Sequence, residues 1–298
     1  MSVRIGINPL TWTNDDMPAL GADTPLEVCL SEGKEAGYAG FELGQKFPRT
    51  PEILGPILDS HGLSLVSGWY SSNLLERSVD DEIEAMQPHL HLLKTLGATA
   101  MVFCETSRCV HGEMETPVRN RPQMSPAEWP VFLERLNEVA EYLETQGVSM
   151  AYHHHMGTVI ETEADVDRMM QGAPAVGLLL DSGHLTFAGG DPVAVAKRYA
   201  DRIKHVHCKD IRKSVMEDAK NRNLSFLQAV LNGTFTVPGD GCVDYPSIFA
   251  VLKETNYAGW LVVEAEQDPA IAHPLTYAKL GFKNLTKFCS DAGISINQ

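Results

Sequence analysis

Eight short apolar runs of strand length recur along this 298-residue chain: Val3–Asn8, Gly40–Leu43, Leu63–Tyr70, Ala98–Cys104, Val148–His153, Val176–Asp181, Ile203–Lys209 and Trp260–Glu264. A glycine precedes many of them, at Gly37, Gly62, Gly97, Gly147 and Gly259. Continuous apolar runs rich in β-branched residues suit strands buried on both faces, as in a parallel sheet. Helical patterns lie between them, over Pro25–Ala36, Val79–Leu96, Ser125–Thr145, Thr162–Met170, Asp244–Thr255 and Leu275–Ala292, with another opening at Asp191-Pro192. Ser125 with Glu128 three residues on has the form of a capping box. Strand–helix alternation repeated eight times argues for right-handed βαβ units. Eight such units close a (β/α)₈ TIM barrel, which needs about 250 residues. The expectation is therefore one α/β barrel domain over 1–298. An open doubly wound sheet is the competing fold, but no G-x-G-x-x-G follows the first run, where a dinucleotide fold requires it.

Two connections are long, Glu105–Met124 and Ile211–Asp240. Both follow strands, so both belong to the face of a barrel that carries active sites, and loops of that length often act as lids.

The balance of 24 basic against 39 acidic residues gives a formal charge of −15. No basic stripe is present, so nucleic acid is not an expected partner. Six cysteines, none in a CxxC pair, suit a reduced, cytoplasmic protein. The stretch from Met1 to Pro9 has no signal-peptide pattern, and no apolar stretch nears the roughly 18 residues needed to span a bilayer, so no membrane partner is expected.

The strand ends carry the chemistry. The fifth run ends His153-His154-His155, the sixth Asp181-Ser182-Gly183-His184, the seventh holds His205, His207 and Lys209, and the eighth ends Glu264-Ala265-Glu266. Side chains alternate across a strand. His153 and His155 therefore share a face, as do His205, His207 and Lys209, and likewise Glu264 and Glu266. Four neighbouring strands can thus aim imidazoles and carboxylates at one point, a donor set suited to a divalent transition metal. One buried His or Glu on a strand is usually a hydrogen-bonded core residue. Four loaded ends together are not explained that way, because unpaired buried charges are costly. Asn8 and Glu42, at the ends of the first two runs, are read as substrate-binding, and so is His184. Trp12 and Trp69 are either pocket walls or ordinary packing.

At these residues the chain resembles the xylose isomerase-like family of (β/α)₈ barrels over nearly its whole length. The resemblance implies a divalent metal held from strands five to eight. Asp181, His207 and Glu264 map onto the family's ligands. The strand-five position, a Glu in the family's epimerases, is His153 here. Tyr152–Thr158, Ser225–Gly241 and Ile5–Trp12 look like the corresponding stretches of myo-inosose dehydratases within that family. That likeness implies loss of water from 2-keto-myo-inositol, a small polyol ketone, to a trihydroxycyclohexane-dione in inositol breakdown. It also implies Mn²⁺ or Co²⁺, an association with glutathione and a homo-oligomer as a common state of such barrels. The expected ligands are Asp181, His207, Glu264 and His153. His155, Lys209 and Glu266 remain open as acid and base, and burial beside a metal is expected to lower the pKa of Lys209. A keto-sugar isomerase or epimerase is the nearest alternative, since it shares the metal and the first proton abstraction. An abasic-site endonuclease, which needs a basic surface, and a non-catalytic polyol-binding protein are further removed.

Overall fold

A computed structural model describes residues 2–297; positions 1 and 298 of the expected single domain lie outside the described residues. Its strands are β1 (Ser2–Ile7), β2 (Gly40–Phe41), β3 (Ser64–Leu65), β4 (Trp69–Ser72), β5 (Ala100–Glu105), β6 (Ser149–His153), β7 (Gly177–Asp181), β8 (Ile203–Cys208), β9 (Asp210–Ile211), β10 (Phe235–Thr236), β11 (Trp260–Val263) and β12 (Ser295–Ile296). Helices α1 (Leu26–Ala36), α2 (Pro51–His61), α3 (Val79–Thr95), α4 (Glu128–Thr145), α5 (Glu163–Gly172), α6 (Ser182–Phe187), α7 (Pro192–Arg198), α8 (Lys213–Asn221), α9 (Phe226–Leu231), α10 (Tyr245–Glu254) and α11 (Pro274–Asp291) connect them.

The main sheet runs β3-β2-β1-β11-β8-β7-β6-β5-β4. Its neighbours pair parallel throughout. The two ends of that order, β3 and β4, belong to one stretch of chain, 64–72, so the sheet closes on itself as a TIM barrel. The third run is thus not one strand but two short pieces. The break falls at Ser67-Gly68, where Ser67 turns its hydroxyl 2.7 Å from Glu42 Oε1. A Cβ at Gly68 would lie 2.5 Å from Leu43 Cδ1, so this corner tolerates no side chain.

The helical ring follows from period 3.6. On α4, Trp129, Phe132, Leu136, Val139, Ala140 and Leu143 form one buried stripe. The start of α5 is set by a complete capping box between Thr162 and Asp165. Ser125 and Glu128 exchange the same two bonds, although regular α4 begins only at Glu128. The connection 211–240 is not a loop: it folds into α8, α9 and β10, the last antiparallel to β9. Helix α2, opened by Pro51 at its first turn, is a further element that the sequence pattern did not mark.

Inside the barrel two small apolar clusters fill the lower part, Val66 with Trp260 and Val262, and Ala100 with Val102, Ala151 and Leu179. Gly40 makes room for the indole, since a Cβ there would lie 3.0 Å from Trp260 Cη2 and 2.5 Å from the Ser64 carbonyl. One step up the same inward rows, the side chains change to His153, Asp181, His205, His207 and Glu264, all buried. The barrel is therefore a dry plug below and a polar cluster above.

Candidate active site

Glu42 is the organising carboxylate of that cluster. Its Oε1 accepts from His205 Nε2 at 2.8 Å, His207 Nε2 at 3.1 Å and Ser67 Oγ at 2.7 Å. Its Oε2 accepts from Asn8 Nδ2 at 2.8 Å. Asn8 is oriented by its own loop, because Leu10 N donates to its Oδ1, which turns the amide NH₂ toward Glu42 and toward Glu264 Oε1 at 3.3 Å. Burial alone would raise the Glu42 carboxyl, but the His207 and His205 imidazoles hold it well below the usual range. Glu42 thus lies beneath the cavity as an anion that fixes two histidines, while Asn8 reaches the cavity itself.

Because His207 donates through Nε2, its Nδ1 faces the other way. It lies 2.9 Å from Glu264 Oε2 and 3.6 Å from Asp181 Oδ2, and Asp181 Oδ2 is in turn 3.3 Å from His153 Nε2. His207 Nδ1 and Glu264 Oε2 nevertheless make no hydrogen bond of acceptable direction among the described residues, although Lys209 Nζ lies 3.0 Å from the same Glu264 oxygen. Two buried polar atoms in contact but misdirected for hydrogen bonding are an arrangement that a shared cation would satisfy. Ligands about 2.1 Å from one cation lie about 3.0–3.4 Å apart at octahedral to tetrahedral angles, and the three separations here bracket that range. His153, Asp181 and Glu264 also form a close group with His184, and Glu42 forms another with His205 and His207. The residues present therefore fit a divalent cation, and Glu42 is the carboxylate that orients from behind the histidine facing Glu264 and Asp181.

Lys209 is fully buried beside this group. Its Nζ donates to Glu266 Oε2 and to His184 Nε2, both at 2.6 Å, and lies 3.0 Å from Glu264 Oε2 and 3.9 Å from Asp181 Oδ2. Burial lowers its pKa, but among the protein's own groups Glu264, Glu266 and Asp181 outweigh burial and raise it, which favours the ammonium while no metal is bound. The stem passes over Gly183, where a Cβ would lie 2.5 Å from Lys209 Cγ. His184 is held by its own N–H, which donates to Asp181 Oδ1 at 2.7 Å, and its ring packs at a tilt against His155 with centroids 4.2 Å apart.

A cavity of about 270 Å³ opens above. Asn8, Glu264, Glu266 and His155 line its floor, and Trp69 forms a wall, edge-on to both His153 and His155 at 5.3 Å. His155 Nδ1 donates to the Met156 carbonyl at 2.9 Å, which leaves Nε2 with its lone pair. Burial lowers the His155 pKa well below the ordinary value, so that lone pair stays free. Glu266 is pushed above the usual carboxylate range by burial, against the pull of Lys209.

The sequence-selected residues are thus brought together, but on two levels. Asn8, His155, Glu264 and Glu266 reach the cavity. Glu42, His184 and Lys209 support it from below and beside. Trp12 lies elsewhere, its Nε1 donating to Glu32 at 2.6 Å. His154, on the outward face, accepts from Asp181 N at 3.4 Å. Sequence reasoning missed the mouth, formed by Asp15, Asp16, Arg49 and His111. They stand on connections, where no periodicity marks them.

The match to known proteins agrees with this fold. The family model described as Xylose isomerase-like TIM barrel matches residues 30–288. The chain belongs to the xylose isomerase-like TIM barrel family. Among curated relatives of this family member, the rhizopine catabolism protein MocC of Rhizobium meliloti is 54% identical over 298 residues, covering 100% of this chain and 92% of MocC. An inosose dehydratase of Clostridium perfringens is 44% identical over 280 residues, covering 93% and 94% of the two chains. Solved structures of the same fold include the IolI protein with a bound zinc atom, at a TM-score of 0.67 and 17% identity, covering 97% and 98%. Another is the probable 3-DHS dehydratase AsbF of Bacillus anthracis, at 0.65 and 16%, covering 95% and 99%.

The Glu42 arrangement makes one prediction. Glu42→Gln removes the anion behind His207 while keeping the shape. Divalent-metal affinity should fall about 10- to 100-fold, the usual cost of disturbing such a partner, as read by competition with a chelating dye. Unchanged affinity would detach Glu42 from the ligand group.

Proposed function

We propose that this protein is a metal-dependent hydro-lyase that removes water from 2-keto-myo-inositol to give a trihydroxycyclohexane-dione in inositol breakdown. The observation that carries the reading is the set of mutually facing ligand atoms under the cavity, in a chain 44% identical to an inosose dehydratase. Asp181, His207, Glu264 and His153 are the proposed ligands. Their mix of imidazole and carboxylate suits Mn²⁺ or Co²⁺. A divalent cation held there supplies Lewis-acid stabilisation of the charge that develops on a ketone oxygen.

The chain's own groups supply the rest. His155 presents a neutral Nε2 to the cavity and can accept the proton α to the ketone. Glu266, on the same floor, is suited to protonate the departing hydroxyl, and Lys209 donates to it from behind. Asn8 holds Glu264 and can reach a substrate hydroxyl. Trp69 closes one side against water.

The remaining readings go with this one: one domain over 1–298, a cytoplasmic enzyme with all six cysteines free, no nucleic-acid partner at a charge of −15, and a homo-oligomeric state. No helix among the described residues is long and apolar enough to cross a membrane.

The test strips the protein with a chelator, restores Mn²⁺ or Co²⁺, and adds 2-keto-myo-inositol with and without glutathione. A metal-dependent product lighter by one water is expected. A new isomer of unchanged mass would replace the dehydratase by an epimerase. The name of the 54% identical relative makes rhizopine the second substrate to try.

A further inference from the structure

The mouth of the cavity brings together two polar side chains that hydrogen-bond to nothing among the described residues. Asp16 stands on the connection after β1 and His111 on the connection after β5, and both line the cavity. Asp16 Oδ1 and His111 Nε2 are 3.6 Å apart, outside hydrogen-bond reach. His111 Nδ1 is also buried without a partner.

Both are fixed in place by other means. Asn14 Oδ1 accepts from the backbone N–H groups of Asp16 and Met17, at 2.9 and 2.7 Å, which sets the turn that carries the carboxylate. The His111 ring packs against His155 and Trp69, with centroids 5.2 and 6.2 Å away. Behind it Gly157 fits only without a side chain, since a Cβ there would lie 2.8 Å from His111 N. A carboxyl group and an imidazole are therefore held side by side at the cavity, with hydrogen-bonding capacity unspent.

A hydroxyl is the small group that can use both, because it accepts and donates at once. We propose that Asp16 and His111 form a two-sided grip on one ring hydroxyl of a polyol, in the cavity that Glu264 and Glu266 also line, and so select which ring the site accepts. His111 Nε2–H donates to the hydroxyl oxygen, and the hydroxyl donates to the Asp16 carboxylate. The proposal rests on the reading of the substrate as a polyhydroxylated ring ketone. A site built to hydrogen-bond a hydroxyl rejects an analogue that lacks it, because its own polar groups are then left unpaired.

The test compares Asp16→Ala, His111→Phe and the double variant with the wild type, all loaded with Mn²⁺. Phenylalanine keeps the ring packing on Trp69 and removes the N–H. Two quantities are read: kcat/KM on 2-keto-myo-inositol, and calorimetric Kd for myo-inositol, which lacks the ketone. Each single variant should lose about 10- to 100-fold in both, the range for a hydrogen bond to a charged group. The double variant should be no worse than the poorer single, because one hydroxyl is shared. In a series of ring-deoxy ketones, one member should already be that poor with the wild type and insensitive to the variants. Losses within twofold, fully additive losses, or equal sensitivity to every deoxy analogue would each overturn the grip. If the wild type binds myo-inositol and the variants weaken that binding, yet no inosose is dehydrated, the grip stands and the proposed reaction falls. If dehydration proceeds untouched in both variants, the grip falls and the proposed reaction stands.

Discussion

In His207→Ala, metal-dependent turnover falls by roughly 10³-fold or more, while the circular dichroism spectrum stays that of the wild type. The size follows from the chemistry the site supports. Lewis-acid stabilisation is worth several kcal/mol, and about 1.4 kcal/mol is a factor of ten in rate. His207 is the imidazole that faces both Glu264 and Asp181 through Nδ1 while its Nε2 is held by Glu42. Alanine removes a proposed ligand and also leaves Glu42 short of a donor. Bound metal is measured on the same sample, so a misfolded variant is told from a metal-free one. Full turnover in His207→Ala would take this residue out of the site.

The second large effect is on stability. Lys209→Met is expected to lower the unfolding free energy of the metal-free protein by about 3–5 kcal/mol, the usual cost of removing one partner from a buried charge cluster. Methionine fills the space of the stem, so little of the loss is cavity formation. What remains is Glu264, Glu266 and Asp181 without the ammonium that faces all three. Urea denaturation at pH 7 reads the difference. Bound divalent metal replaces part of the missing charge, so the loss should shrink in the loaded protein. A loss under about 1 kcal/mol without metal would mean that the carboxylates carry protons there instead.

Much of this was legible in the order of residues, for a physical reason. A strand exposes alternate side chains to one side, so His153, Asp181, His207 and Glu264 could be placed on inward rows by counting. Their burial in a dry barrel made a shared partner the economical explanation. Glu42 was harder. A carboxylate inside Phe41–Leu43 announces that it has a partner, but which partner depends on strands separated from it by more than 160 residues. The charge state of Lys209 was not legible either, because it is decided by the sum of burial against three carboxylates, and only positions give that sum. Asp16 and His111 left no signal, since connections have no period. The 211–240 segment read as a loop although it folds into two short helices. Its Phe226 packs against His155 and His184, so its apolar residues serve the site as well as the helices.

The position of β11 has a consequence for how the molecule is made. This strand is the last of the barrel to be synthesised, and it pairs with β1 on one side and β8 on the other. Until residues 260–266 have left the ribosome, the sheet stays open between its first strand and its seventh barrel strand. Glu264 and Glu266 are then absent, and Asn8, Lys209 and His207 each lack a partner. Completion of the polar cluster and closure of the barrel are in this way one late event. A chain cut short before β11 should be recognisable to quality-control proteases by its open sheet edges as much as by its missing activity.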